Sequence, residues 1–166
     1  MASVVTFVHI AALMVISIGS LFIAWHDFKT LTITNRSVLF MLLIAVVVSV
    51  TRQPMAPITD ASIGLLFFVC GFLFWLIGAM GAGDAKLYLP LGIALGPIAV
   101  MPYLLALCLF SLIFLVAVKW AARHQPTNPV LARLSQLGRE KGLPYAVPMA
   151  LAFVAAQIAT VSVFGT

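Results

Sequence analysis

The stretch ASIGLLFFVCGFLFWLIGAM, Ala61–Met80, runs for 20 residues without a Lys, Arg, Asp or Glu and then breaks into Gly81-Ala82-Gly83-Asp84-Ala85-Lys86-Leu87. A helix that crosses the hydrocarbon core of a bilayer needs about 20 mostly apolar residues, so this segment has the length and composition of a membrane helix. Five further apolar runs flank it: Val4–Trp25, Ser37–Val50, Leu87–Val100, Pro102–Val118 and Leu143–Phe164. Composition agrees, since 64% of residues are hydrophobic, 8% are charged and the mean hydropathy is +1.21, far above a soluble domain. The expectation is an all-α, polytopic membrane bundle of about six transmembrane helices, forming one embedded domain over residues 1–166. The second and fourth runs are short and rely on flanking residues to reach the interface. Gly96-Pro97 and Pro102 predict a tight turn between the fourth and fifth, because proline interrupts the helical ladder. Burial of that turn would make those two runs one broken helix.

Charge placement predicts orientation. Short cytoplasmic loops accumulate Lys and Arg, and eight of the nine basic residues fall in His26–Arg36, Gly81–Lys86 and Lys119–Gly142, all but Arg52. Those three stretches share one side if both termini are extracytoplasmic, so this topology is expected. The first run lacks a basic n-region and exceeds the usual apolar length of a secretion signal, so it reads as a retained helix. The formal net charge of +5 is absorbed by this topology and gives no reason to invoke nucleic acid. The basic loop Lys119–Gly142 reads as an anchor on anionic membrane lipid. Cys70 and Cys108 lie too far apart for a metal or redox motif and are expected to pack as small apolar residues. His9, His26 and His124 share no ligand spacing, so neither a metal nor a cofactor is expected.

Against that background the four acidic residues are few, and two of them, Asp27 and Asp84, sit where apolar runs break. A carboxylate in or at the edge of a membrane is costly, about 2.5–3.5 kcal/mol at a helix centre, and so asks for a reason. The topology places both on the cytoplasmic side. Two carboxylates brought close cannot both ionise cheaply, so such a pair holds one proton and titrates as a unit. One member then acts as general base on water while the other polarises a carbonyl, with no serine or cysteine nucleophile. Gly81 and Gly83 would permit positive φ angles and close backbone approach, leaving room for an extended substrate beside Asp84. The plainer reading of these glycines is helix–helix packing.

The motif Gly81-Ala82-Gly83-Asp84-Ala85-Lys86-Leu87 resembles the Gly-x-Gly-Asp-x-Lys-Leu string of the type IV prepilin peptidases, membrane aspartyl proteases. Asp27-Phe28-Lys29-Thr30-Leu31-Thr32-Ile33-Thr34-Asn35 resembles the string that carries the family's first aspartate, with Thr34 where proline is usual. Pro144-Tyr145-Ala146-Val147-Pro148 is a weaker echo of a Pro-(Phe/Tyr)-Gly-Pro string, since Ala146 replaces glycine and a residue is inserted. The resemblance implies an aspartic endopeptidase with Asp27 and Asp84 as catalytic residues, cutting the basic leader of a prepilin or pseudopilin after a glycine at the cytoplasmic face of the bacterial inner membrane. The long members carry a cysteine-rich cytoplasmic insert and a methyltransferase activity. Only eight residues separate Asp27 from Arg36, so the chain resembles the short, cleavage-only form that serves Flp/Tad pili.

Lys29 and Lys86 each follow an aspartate by two residues, a spacing that does not make helical side chains meet, so they read as interface markers supporting the motif. Asn35 resembles a helix cap. Two other classes remain open: a small proton- or cation-coupled transporter using the aspartates as ion ligands, and a non-catalytic assembly subunit in which both are dispensable.

Overall fold

The computed structural model describes residues 2–52, 54–124, 128–138 and 143–164, and among these it is helical with no strand. Six helices follow in order: α1 Ala2–Thr30, α2 Asn35–Thr51, α3 Pro57–Leu76, α4 Ala82–His124, α5 Pro129–Leu137 and α6 Ala146–Phe164. Three are long and apolar enough to cross a membrane, within Ser3–Thr30, Pro57–Leu76 and Ala82–His124, and Asn35–Thr51 and Ala146–Ser162 are shorter apolar helices. Large apolar side chains point outward all along them, with Phe7 73%, Phe22 71% and Ile77 75% exposed. An apolar exterior on apolar helices is that of a membrane-embedded protein, whose solvent is lipid.

Helix boundaries follow from local chemistry. α3 starts earlier than its apolar run because Pro57, with fixed φ and no amide to satisfy, suits the first helical turn. It ends at Leu76, not Met80, because Gly78 takes φ 74°. The Gly78 amide bonds the Trp75 carbonyl at 2.9 Å and the Ala79 amide bonds the Phe74 carbonyl at 2.9 Å, the paired bonds of a Schellman stop. The segment after Lys119 departs from the predicted loop: α4 continues to His124, and Pro129–Leu137 forms α5, a short amphipathic helix with Leu134 and Leu137 buried. Arg139 and Lys141, counted in that basic loop, lie outside the described residues. Cys70 and Cys108 are free and lie on the exposed faces of α3 and α4.

α4 is two arms. Gly96, buried, breaks it with φ 63°, ψ 174°. Phe67 of α3 stacks on Tyr103 at 5.6 Å between centroids and meets Tyr88 edge-on at 6.1 Å. In a straight helix Tyr88 and Tyr103 would be about 22 Å apart, so their shared contact with Phe67 requires a sharp bend at Gly96. The turn is buried, so the expected fourth and fifth runs join as the two arms of one broken helix. α3 meets the first arm through small residues: a Cβ on Gly92 would stand 2.7 Å from Gly64 Cα, and one on Gly71 3.2 Å from Ala85 Cα.

The turn is pinned by the basic residue that charge counting left over. Arg52, at the end of α2, donates to the carbonyls of Ala94 (2.6 Å) and Leu95 (3.2 Å), which the break at Gly96 deprives of helical partners. Its Nε lies 3.3 Å from Asp60 Oδ2, which also accepts from Ser49 Oγ at 2.7 Å. Asp60 is fully buried. His9 and Thr51 join α1 to α2 nearby at 3.0 Å. This polar knot fixes the end of the bundle opposite Asp27 and Asp84.

Candidate active site

Asp27 sits in the last turn of α1, on the helix rather than in a loop. Its side chain is buried while that of His26 faces outward, as successive helical positions must. The helix stops just beyond, where Leu31 takes φ 54° and donates to the Asp27 carbonyl at 2.7 Å. A leucine in that conformation is strained and is held by its packing on the cluster of Phe28, Val118, Ala121, Leu134 and Leu137. Arg133 of α5 donates to the Phe28 carbonyl at 3.2 Å and so ties α5 to the same turn.

Asp84 is the third residue of α4. From there its carboxylate turns back to the amide of Gly81, the residue preceding the helix, as the acid of a capping box does, and lies at the positive end of the helix dipole. The backbone amides of Tyr145 and Ala146, where α6 begins, also act on it as hydrogen-bond donors. Asp27 is the neighbouring charge that Asp84 feels, so the two carboxylates stand within electrostatic reach of each other. Each is 4% exposed, and each keeps one buried oxygen without a hydrogen-bond partner, Oδ2 of Asp27 and Oδ1 of Asp84. Buried polar oxygens are rarely left so, and a proton, a water or a substrate group would satisfy them.

Two contacts hold the Asp27 segment against the Asp84 segment. Lys86 Nζ donates to Asn35 Oδ1 at 3.0 Å, and Ile33 packs so tightly on Gly83 that a Cβ there would stand 2.8 Å from Ile33 Cβ. The expected roles of the supporting residues change accordingly. Neither Gly81 nor Gly83 has positive φ, which belongs to Gly78 and Gly96. The space beside Gly83 is filled by Ile33, whereas Gly81 is exposed and the only atom its Cβ would crowd is Asp84 Oδ2, at 3.0 Å. Asn35 does not cap α2, because Thr34 does so by accepting from the Ser37 amide at 3.2 Å, which frees Asn35 for Lys86. Lys29 points away, its ammonium 4.5 Å from the centre of the Trp25 ring.

Three neighbours of Asp84 lie outside the two aspartate motifs. Tyr145 and Ala146 come from the proline-flanked string whose glycine is missing, and what they supply is backbone, which side-chain identity does not reveal. Tyr88 lies one helical turn beyond Asp84 on the same face, its ring against Gly71 and Phe67, and its phenol senses the Asp84 charge. The i, i+4 spacing from Asp84 is the signal that would have found it.

No curated protein and no solved structure matches the chain. A protein-family model described as the type IV leader peptidase family matches residues 14–116, a span that includes Asp27, Asn35, Gly81, Gly83, Asp84 and Lys86 and stops short of α5 and α6. That match covers more than half of the chain and carries both Asp27 and Asp84, and with the membrane-embedded helical fold it means that the chain belongs to the type IV leader peptidase family.

Proposed function

We propose that the chain is an aspartic endopeptidase that removes the basic leader of a prepilin or pseudopilin, with Asp27 and Asp84 as its catalytic pair. The observation that carries the reading is the burial of these two carboxylates, Asp84 within electrostatic reach of Asp27 and each with an unpartnered oxygen, inside a chain of a leader peptidase family. Like charges held together in a poorly solvated place favour a single shared proton. The ionised member takes a proton from water, which attacks the scissile carbonyl. The protonated member donates to that carbonyl oxygen, and the roles reverse as the amine leaves. The amides of Gly81, Tyr145 and Ala146 keep Asp84 oriented while this happens.

The bundle runs as six apolar arms, with both termini extracytoplasmic and the pair at the cytoplasmic face of the inner membrane. The break at Gly96 supports the count, and the gathering of Lys29, Arg36, Lys86, Lys119 and Arg123 near the ends that carry the aspartates supports the orientation. Cleavage falls after the leader glycine, at the cytoplasmic end of the substrate's apolar helix. The whole chain acts as a single peptidase domain of the cleavage-only, Tad-like type, without metal or cofactor.

The test is cleavage in membranes of a co-expressed prepilin, read by mass, for the native chain and for Asp27→Asn and Asp84→Asn chains shown to insert normally. The native chain should cut after the glycine and both variants should leave full-length substrate. An inserted variant that cuts at the native rate would remove that aspartate from the mechanism. A native chain that leaves the prepilin intact but conducts protons or cations would replace the peptidase by an ion pathway.

A further inference from the structure

Beside the candidate site runs an apolar slot that no element among the described residues fills. α1 lines one wall with Leu21, Ala24, Trp25 and Phe28, and the second arm of α4 lines the other with Phe110, Ile113, Phe114 and Ala117. Both sets follow the i, i+3, i+4, i+7 spacing of a single helical stripe, the pattern a helix presents to a partner helix. α1 packs on α2 and α6, and α4 on α2, α3, α5 and α6, while the two facing stripes have no helix between them. Val147 and Leu151 of α6 form the floor, and Val130 and Leu134 of α5 border one end. The slot encloses about 340 Å³, and all of its lining side chains are apolar. Leu21, Trp25, Ile113 and Leu151 remain 40–53% exposed within it.

Position decides what the slot is for. Phe28 directly follows Asp27, and Val147 directly follows Ala146, whose amide faces Asp84. From Leu21 to Phe28 the wall is about 10 Å long, two turns, and its end is the candidate site. We infer that the slot seats the first turns of the substrate's apolar helix, the segment immediately after the scissile bond, so that the peptide to be cut emerges at Asp27 and Asp84. The inference rests on the peptidase reading and adds to it a docking surface, used in the helix-in-groove manner. Lipid tails are as apolar as leucine and gain nothing particular from this slot over the rest of the surface. A helix does gain, because two stripes at helical spacing offer the ridges and grooves that one intervening helix would fill.

The probe is a model prepilin with a Lys-rich leader, a glycine, an apolar helix of about 20 residues and a short polar tail. A photo-crosslinking residue is placed at Leu21, Ile113 or Leu151 of the Asp84→Asn chain in membranes, with Leu65 and Phe74 on the exposed face of α3 as controls. Slot positions should give peptide adducts at least about tenfold above the α3 controls, through proximity alone. Equal yields, or adducts to lipid only, overturn the inference. Independently, Ala117→Trp in the native chain fills the slot and should raise KM about tenfold with kcat nearly unchanged, the sign of lost ground-state binding. Should that chain not insert, Leu21→Ala with Ile113→Ala removes contact without crowding and should move KM in the same direction. Unchanged KM in a chain whose native form cleaves the probe overturns the docking surface alone. Failure of the native chain to cleave it overturns the peptidase reading, and the slot's occupant with it.

Discussion

Gly83→Ala distinguishes the two reasons a glycine stands just before Asp84. If glycine leaves room for substrate, the added methyl should raise KM and leave the fold alone. The packing argues otherwise. The new Cβ would lie 2.8, 3.2 and 3.4 Å from Ile33 Cβ, Cγ1 and Cδ1. Carbon atoms rest at about 3.5–4.0 Å, so the α1–α2 connection must retreat from α4 by about 0.7–1.2 Å. Overpacking of this kind costs about 1–3 kcal/mol. The same retreat carries Asp27 away from Asp84 and strains the Lys86–Asn35 bond, and a misplacement of about 1 Å in reacting groups can cost about 100-fold in rate. The expected phenotype is therefore a fall of about 100-fold in kcat together with lower thermal stability in detergent, with KM changing less. Since the shortest contact is to Ile33 Cβ, adding Ile33→Ala should rescue poorly and adding Ile33→Gly should rescue better. Kinetics on the model prepilin and a thermal melt of each purified chain decide it. Native kcat and stability in Gly83→Ala would refute the packing argument. A pure KM effect insensitive to Ile33 would return the glycine to the substrate.

If Asp27 and Asp84 share one proton, cleavage should follow a bell-shaped pH profile: at low pH both are protonated and no base remains, at high pH both are ionised and no acid remains. Replacing either by Asn should abolish the bell together with the activity. Arg52→Ala leaves Asp60 buried without its cation and the Ala94 and Leu95 carbonyls without donors, and should destabilise by about 3–5 kcal/mol in a denaturant or thermal assay. Its effect on activity should appear only as lost folded protein, since the knot lies at the other end of the bundle. Lys86→Met removes one exposed hydrogen bond to Asn35 and should cost about 1 kcal/mol or less, with a severalfold loss of kcat and no change in the shape of the pH profile.

How far the fold could be read from the chain depended on whether the deciding interaction was local. Apolar length and proline or glycine punctuation located the apolar helices, because a membrane helix satisfies its own backbone and announces itself by composition. The ends moved where capping outweighed hydropathy, as at Pro57 and at the Schellman stop around Gly78. α5 carries local signals, a capping Asn128, Pro129 in the first turn and Val130, Leu134 and Leu137 on one helical face, but nine residues among several charges are outweighed by the membrane-length pattern, and their packing against Phe28 and Val118 is non-local. The site divides the same way. Asp27 and Asp84 stood out because buried charge is costly and therefore rare. Arg52 and Asp60 are the same kind of signal and were passed over, because Arg52 reads as the one exception to a charge rule until the Gly96 break shows which carbonyls it serves. A residue that violates a membrane charge rule and a glycine that breaks a membrane helix are each weak signals alone. Here they are one structure, since a Cβ at Gly96 would collide with the Arg52 guanidinium. The rule generalises to a physical expectation: where a helix is broken inside a membrane, the freed carbonyls need a donor, and the out-of-place cation in the sequence is the first place to look for it.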